Sequence, residues 1–391
     1  MTPTARRHER RLIRAGNPSL AALLTLARVT GPIRKIPRVG WVVNDPVVAR
    51  RILNDYDHFT MVGEGGVGHL WGQLFGPAFA AFFGGQGHAD LRVKARDMFT
   101  EVKSTALVDR VLTPMLSDVR RNLAEGDRVD VVRTAKLMTG RVVADVLGLE
   151  LRDRDEAYLR LFVSGERLAA LALGTQVSTV LAPETIEQAR SVVREITGGV
   201  EEAYRTRGAE TILGRSREIG LDVEIAKALA TLVTIAGTET AASAMARTVA
   251  LLADTGQTAA LLADRSRIPD AVREGLRVTS AAPVLGRHVA KDVVVQGRRL
   301  RAGDRILLAV HTANNRPGGF DVTRPYLPET RQLWFGAGRH LCLGAALGRA
   351  QLTRLLETLT AAGRPWRIES RTPARKVLVP TYATLTIRMA E

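Results

Sequence analysis

The 391-residue chain has one cysteine, Cys342, and only seven lysines among its 56 basic residues. A single thiol excludes an intramolecular disulfide, a zinc site built from several thiolates and a cysteine-held iron–sulfur cluster. It suits a reducing compartment, so a cytoplasmic protein is expected. Aromatic residues make up 5% of the chain, too few to interleave with basic ones as in proteins that stack nucleic-acid bases. The net charge of +16 comes from arginines scattered along the whole length. With no basic tail or stripe, nucleic acid is not an expected partner. Apolar runs are short too: SLAALLTLARV (19–29), after the basic N-terminal segment, covers 11 residues. Spanning a bilayer takes about 20, so neither a secretory signal nor stable membrane insertion is expected.

The chain does have apolar residues, 46% of the total, enough for a large core. No low-complexity linker or repeat divides it, and a single domain over 1–391 is expected. Residues 40–60 read as strand, turn and amphipathic helix. Residues 61–87 form a glycine-rich apolar run with one charge, Glu64. Helical patterns follow over 88–124, 132–150 and 153–207. Two-residue alternation is confined to 293–310, read as hairpin strands turning at Gly297 and Gly303, and to 377–390. The fold class expected is mainly α with a small β-rich portion (α+β).

The strongest helix is DVEIAKALATLVTIAGTETAASAMARTVALLAD (222–254), capped by Asp222 and about 50 Å long at 1.5 Å per residue. Its apolar residues run nearly all round, so it should cross the centre of the molecule. AGTET in its middle contains glycine and threonines, poor helix formers. That patch is either a packing notch with a back-bonded threonine or an opening beside a ligand, with Glu239 and Thr240 handling protons.

Cys342 lies in FGAGRHLCLG (335–344). Gly336, Gly338 and Gly344 permit close backbone approach, and Arg339 and His340 add positive charge. The helical pattern at 343–363 puts the thiol at a helix N-terminus, where the dipole favours thiolate. A thiolate is a nucleophile or a metal ligand, and no base or oxyanion signature surrounds this one. A single soft ligand suits a metal whose other positions are filled by a macrocycle, as in haem.

FGAGRHLCLG also resembles the haem-binding signature F-x-x-G-x-R/H-x-C-x-G of the cytochrome P-450 family. AGTETA (236–241) resembles the family's A-G-x-D/E-T, Glu274 and Arg277 its E-x-x-R, and His88 and Arg92 the H-x-x-x-R of soluble bacterial members. GRHVAKD (286–292) is similar to the R-x-x-x-x-D stretch entering the strand pair. The resemblance implies a P-450-like fold with the long central helix over haem b. It implies Cys342 as the iron ligand, and His88, Arg92, Arg287 and His340 on the haem propionates. Ala236, Phe335, Gly336 and Gly344 would lie against the ring. Gly237 would leave room for dioxygen, and Glu239 and Thr240 would relay protons. Glu274 and Arg277 would form a structural pair completed by Arg324, although ANNRPGGFDVTR is several residues shorter than the family pattern. The implied activity is a monooxygenase acting on a lipophilic small molecule, with electrons from a ferredoxin and ferredoxin reductase. A peroxide-dependent or isomerising enzyme and a non-catalytic haem sensor are the alternatives. The substrate walls implied are 61–84, 161–183, Ala236, Pro283 to Leu285 and the Tyr382 turn.

Overall fold

The computed structural model describes residues 2–63, 66–76, 83–151, 154–171 and 180–390. Its first three helices start alike, with a side-chain oxygen before a proline. Thr2 caps α1 (Pro3–Gly16), Asn17 caps α2 (Pro18–Val29), and Asp45 caps α3 (Pro46–Asn54) by accepting from the Val47 and Val48 N–H groups. Proline at the first turn loses no helix hydrogen bond, and the oxygen satisfies an orphan donor. Between α2 and α3, β1 (Ile33–Ile36) pairs antiparallel with β2 (Gly40–Val43); β3 (Phe59–Thr60) follows α3.

A helical body comes next: α4 (Val67–Phe75), α5 (Gly85–Ala95), α6 (Glu101–Ala124), α7 (Val131–Leu147), α8 (Arg154–Leu171), α9 (Pro183–Ile196), α10 (Val200–Thr206) and α11 (Ile212–Glu218), with β4 (Val129–Asp130) before α7. The helical pattern expected over 88–124 is interrupted. A 3-10 turn at Arg96–Phe99 and a Thr100 cap separate α5 from α6. Helix α12 (Val223–Asp254) has 32 residues and the expected Asp222 cap, which accepts the Glu224 N–H at 2.7 Å. It runs unbroken through AGTET and packs on α7 and α8. After it come α13 (Thr258–Ala263) and α14 (Ile268–Thr279). Gly275 lets α14 press onto α12, since a Cβ there would collide with the Thr248 side chain.

The strands β5 (Leu285–Val289), β6 (Val293–Val295), β7 (Arg298–Leu300) and β8 (Arg305–Leu308) precede α15 (Val310–Asn315). Gly297, at φ +71°, turns the β6–β7 hairpin as expected. The second expected turn does not return β8 onto β7. Instead β8 enters a five-stranded sheet of order β1-β2-β8-β5-β3, parallel to β2 and antiparallel to β5. Ile306 to Leu308 are buried, and a strand so apolar is satisfied by a partner on each side rather than by a solvated hairpin. Helix α16 (Ala345–Thr360) packs on α6, and β9 (Trp366–Pro373) and β10 (Tyr382–Met389) pair antiparallel at the end of the chain. The fold is mostly helical with small sheets, the class expected.

Candidate functional site

The loop around Cys342 is built from two 3-10 turns, Leu333–Phe335 and Gly338–His340, and two left-handed glycines. Gly336 has φ +79° and Gly338 φ +66°, a region where side chains are strained. A Cβ on Gly338 would also collide with the Tyr56 hydroxyl and lie 2.8 Å from the Leu53 carbonyl oxygen, so this glycine seats the loop on the end of α3. Gly344 departs from expectation. Its φ is −80°, and a Cβ there would meet no protein atom within 4 Å; it contributes instead an N–H to the Cys342 sulfur. The Cys342 N–H donates to the Phe335 carbonyl at 2.8 Å, and the Phe335 ring lies 5.6 Å from the Arg349 guanidinium.

Cys342 is accessible, yet burial pushes its thiol up against the opposing pull of the Gly344 N–H, Arg92 and Arg349. Cys342 does lie just before the N-terminus of α16, as expected, where a bound cation would favour the ionised sulfur. Among the described residues no group of three or more His, Cys, Asp or Glu could hold a metal. A metal at Cys342 would have to bring its other ligands with it.

The predicted cations converge on this loop. His88 and Arg92 sit one turn apart on α5. The His88 and His340 rings are 4.2 Å apart, and Arg92 donates to the Leu341 carbonyl. Arg287, on β5, is 5% exposed; its Nη1 donates to the Gly286 carbonyl at 2.8 Å. Burial lowers Arg92 and brings Arg287 down to about 10. His88 is pushed down to about 4 by burial, then by Arg92 and Arg339. His340 falls to about 3 through burial, His88, Arg287, Arg92 and Arg339. His88 Nδ1 is sealed without a hydrogen-bond partner, and no carboxylate pairs with any of the four among the described residues. Two arginines and two imidazoles without a carboxylate partner, around an accessible thiol, fit a ligand that carries two carboxylates and a metal. The chemistry of haem meets both requirements.

On α12, Thr240 Oγ1 donates to the Ala236 carbonyl at 2.7 Å, so the back-bonded threonine is real. Ala236 itself is exposed. Glu239 is 4% exposed, and burial, then the charge of Glu166, pushes its carboxyl up to about 8 against the pull of Lys136. Lys136 on α7 and Glu166 on α8 form a 2.9 Å ion pair that is partly open to solvent. The role expected of Gly237 is corrected. A Cβ there would lie 2.9 Å from Val143 Cγ2 on α7, so its small size serves helix packing rather than a space for dioxygen.

Of the expected substrate walls, residues 64–65, 77–82 and 172–179 lie outside the described residues. Tyr382 is buried in the main core beside Arg371 and offers no open wall. A cavity of about 1060 Å³ between α8 and α10 is lined by Leu161, Val163, Ser164 and Arg167 of the expected 161–183 wall, and by none of the residues expected on the haem or in proton relay.

Glu274 accepts both Nε and Nη2 of Arg277 at 2.7 Å, and both residues are buried. Arg324 Nε reaches the same carboxylate at 3.3 Å. Arg277 also donates to the Asn314 and Gly318 carbonyls, and Arg324 to that of Pro317. The trio thus pins the short 314–324 segment. Sequence reasoning missed Tyr56, whose hydroxyl accepts the Arg339 N–H and whose ring lies 3.6 Å from the Arg339 guanidinium. It also missed Lys136 and Glu166. All three reach the site from distant positions with no motif around them.

The family model for cytochrome P-450 matches residues 256–360. A mycobacterial protein named as a cytochrome P-450 140 (Mycobacterium bovis) is 28% identical over 279 residues, 68% of this chain and 62% of that protein. The C-19 steroid 1alpha-hydroxylase of Sorangium cellulosum is 26% identical over 71% of this chain and 72% of its own length. The chain thus spans about three fifths of the first curated relatives. Among solved structures, the epothilone B-bound cytochrome P-450 epoK superposes with a TM-score of 0.77 over 97% of this chain and 98% of its own, at 20% identity. A mostly helical fold shared over nearly the whole length, a family model matching residues 256–360 and named relatives agree: the chain has the fold of cytochrome P-450 structures and is similar in sequence to that family.

Proposed function

We propose that the protein is a haem-thiolate monooxygenase that inserts one oxygen atom from dioxygen into a lipophilic small molecule of the secondary-metabolite class. Cys342 is the iron ligand, haem b the cofactor, and a separate ferredoxin and ferredoxin reductase the electron source, in one cytoplasmic domain. The observation that carries this reading is the gathering of His88, Arg92, Arg287 and His340, without a carboxylate partner, around the Cys342 loop. Relatives named as a 20-oxo-5-O-mycaminosyltylactone 23-monooxygenase and a C-19 steroid 1alpha-hydroxylase support oxygen insertion into a bulky lipophilic substrate.

Haem, when bound, supplies a thiolate-ligated iron that activates dioxygen once electrons and protons are delivered. The chain's own residues hold that group and meter the protons. Arg92 and Arg287, with the neutral His88 and His340 rings as hydrogen-bonding groups, would hold its carboxylates. The Phe335 carbonyl accepts the Cys342 backbone N–H, and the Gly344 N–H donates to the sulfur. Glu239 keeps its proton at neutral pH, and the Lys136–Glu166 pair beside it reaches solvent, giving a path for reprotonation. Thr240 Oγ1 gives its own proton to Ala236, so its lone pairs are free to accept one from water.

The test is turnover of a lipophilic substrate panel under isotopically labelled dioxygen with ferredoxin, reductase and NADPH. One labelled oxygen atom in the product is expected. Turnover supported by peroxide but not by the electron-transfer chain would overturn the reading.

A further inference from the structure

We infer that the cavity between α1, α2 and the 315–324 segment is a binding site for a compact multivalent anion of the phosphate class. The cavity measures about 670 Å³, and its walls include Arg6, Arg10, Arg28, Arg316, Arg324 and His311. Among these described lining residues the one carboxylate is Glu9, and it is already committed. Glu9 Oε2 accepts from Arg247 Nη2 at 2.5 Å in a buried pair. Arg316 is met by Asp45 at 2.6 Å, and Arg324 by Glu274. Arg6, Arg10 and Arg28 are left with no acid partner among the described residues.

All three border the cavity with side chains exposed to solvent. Arg6 and Arg10 are one turn apart on α1, on either side of the inward-facing Glu9. Arg28, at the end of α2, is depressed by burial and then by the charge of Arg10. Like charges gathered without an acid raise one another's energy, and a bound anion removes that cost. His311 is a further polar group beside these arginines. It is 5% exposed, borders the cavity, and its Nδ1 has no hydrogen-bond partner. Burial, Arg247 and Arg28 hold its ring neutral, down to about 3, so one ring nitrogen is a donor and the other an acceptor.

Three free guanidiniums call for more than one negative charge. A phosphate group supplies nearly two in a small volume, with oxygens suited to guanidinium forks. The volume lies within the range of small-molecule sites, about 300–1,000 Å³, and is larger than a single inorganic ion requires. No residue proposed to hold haem lines this cavity, so the inference stands apart from the iron chemistry.

The probe is inorganic pyrophosphate, titrated calorimetrically into the purified full chain at low salt. Saturable one-to-one binding is expected, weakened tenfold or more in Arg10→Gln/Arg28→Gln and unchanged in Arg120→Gln, an exposed arginine on α6 outside the cavity. In the reduced, carbon-monoxide-bound protein, pyrophosphate should also shift the His311 ring resonances. Non-saturating binding, or equal weakening in Arg120→Gln, would reduce the effect to diffuse charge and overturn the site. So would a double variant that fails only in reduction by an acidic ferredoxin, which would assign these arginines to a protein-docking face.

Discussion

Arg287 is the residue on which the haem proposal can be tested without turnover. A cation buried with no acid beside it destabilises the protein that carries it. Arg287→Met should therefore raise the melting temperature of the haem-free protein and at the same time lower the fraction of haem retained through gel filtration. A fall in both would mark Arg287 as a structural residue. Glu239 gives a pH dependence of definite sign. Its carboxyl binds a proton in the folded chain up to about 8, against an ordinary value of 4.5. Between those values the folded state holds more protons than the unfolded one, so its contribution to stability falls as pH rises. Glu239→Gln should therefore be more stable than the parent at pH 8 and above, with the gap closing toward pH 4.5. The decline in turnover near pH 8 should also disappear in the variant. Parallel stability profiles for the two proteins would contradict the buried-acid assignment.

At the scale of elements, the close packing of α12 on α7 accounts for Gly237. Gly237→Ala should cost about 1–3 kcal/mol of stability through overpacking, and Val143→Ala in the same chain should recover most of it, as read by denaturant midpoints. Failure of that rescue would mean the glycine serves something other than the helix contact. Long helices were legible because their signals are local: an Asp222 cap and an all-round apolar pattern specify α12 without help from the rest of the chain. The partner of β8 was not legible. Hairpin chemistry at Gly303 describes only the turn, whereas the choice of β2 and β5 over β7 depends on burial against strands more than 200 residues away in the case of β2. Gly237 was misread for the same reason. Its neighbour Val143 is supplied by another helix, and the motif alone gives no sign of it.

At the scale of the whole molecule, the buried Glu274–Arg277–Arg324 trio joins α14 to the segment ahead of the cysteine loop. Removing one charge leaves the others buried and unpaired, a loss of about 3–5 kcal/mol. Glu274→Gln should accordingly lower the unfolding midpoint strongly and release haem in parallel, while the exposed Arg121–Asp118 pair should be dispensable within about 1 kcal/mol. The resemblance of FGAGRHLCLG and of the His88–Arg92 motif to family signatures pointed to one neighbourhood, and the structure brings His88, Arg92, Arg287 and His340 together around the Cys342 loop. The Lys136–Glu166 pair was not legible, since two half-buried charges on separate helices gain meaning only when packing brings them to Glu239. The central claim is that the lone thiol holds iron. It is tested most directly by the absorption spectrum of the dithionite-reduced protein under carbon monoxide, with Cys342→His alongside. The account predicts the strongly red-shifted Soret band of thiolate-ligated haem in the parent and its loss in the variant. A histidine-type band in the freshly prepared parent, or the red-shifted band surviving in Cys342→His, would contradict it.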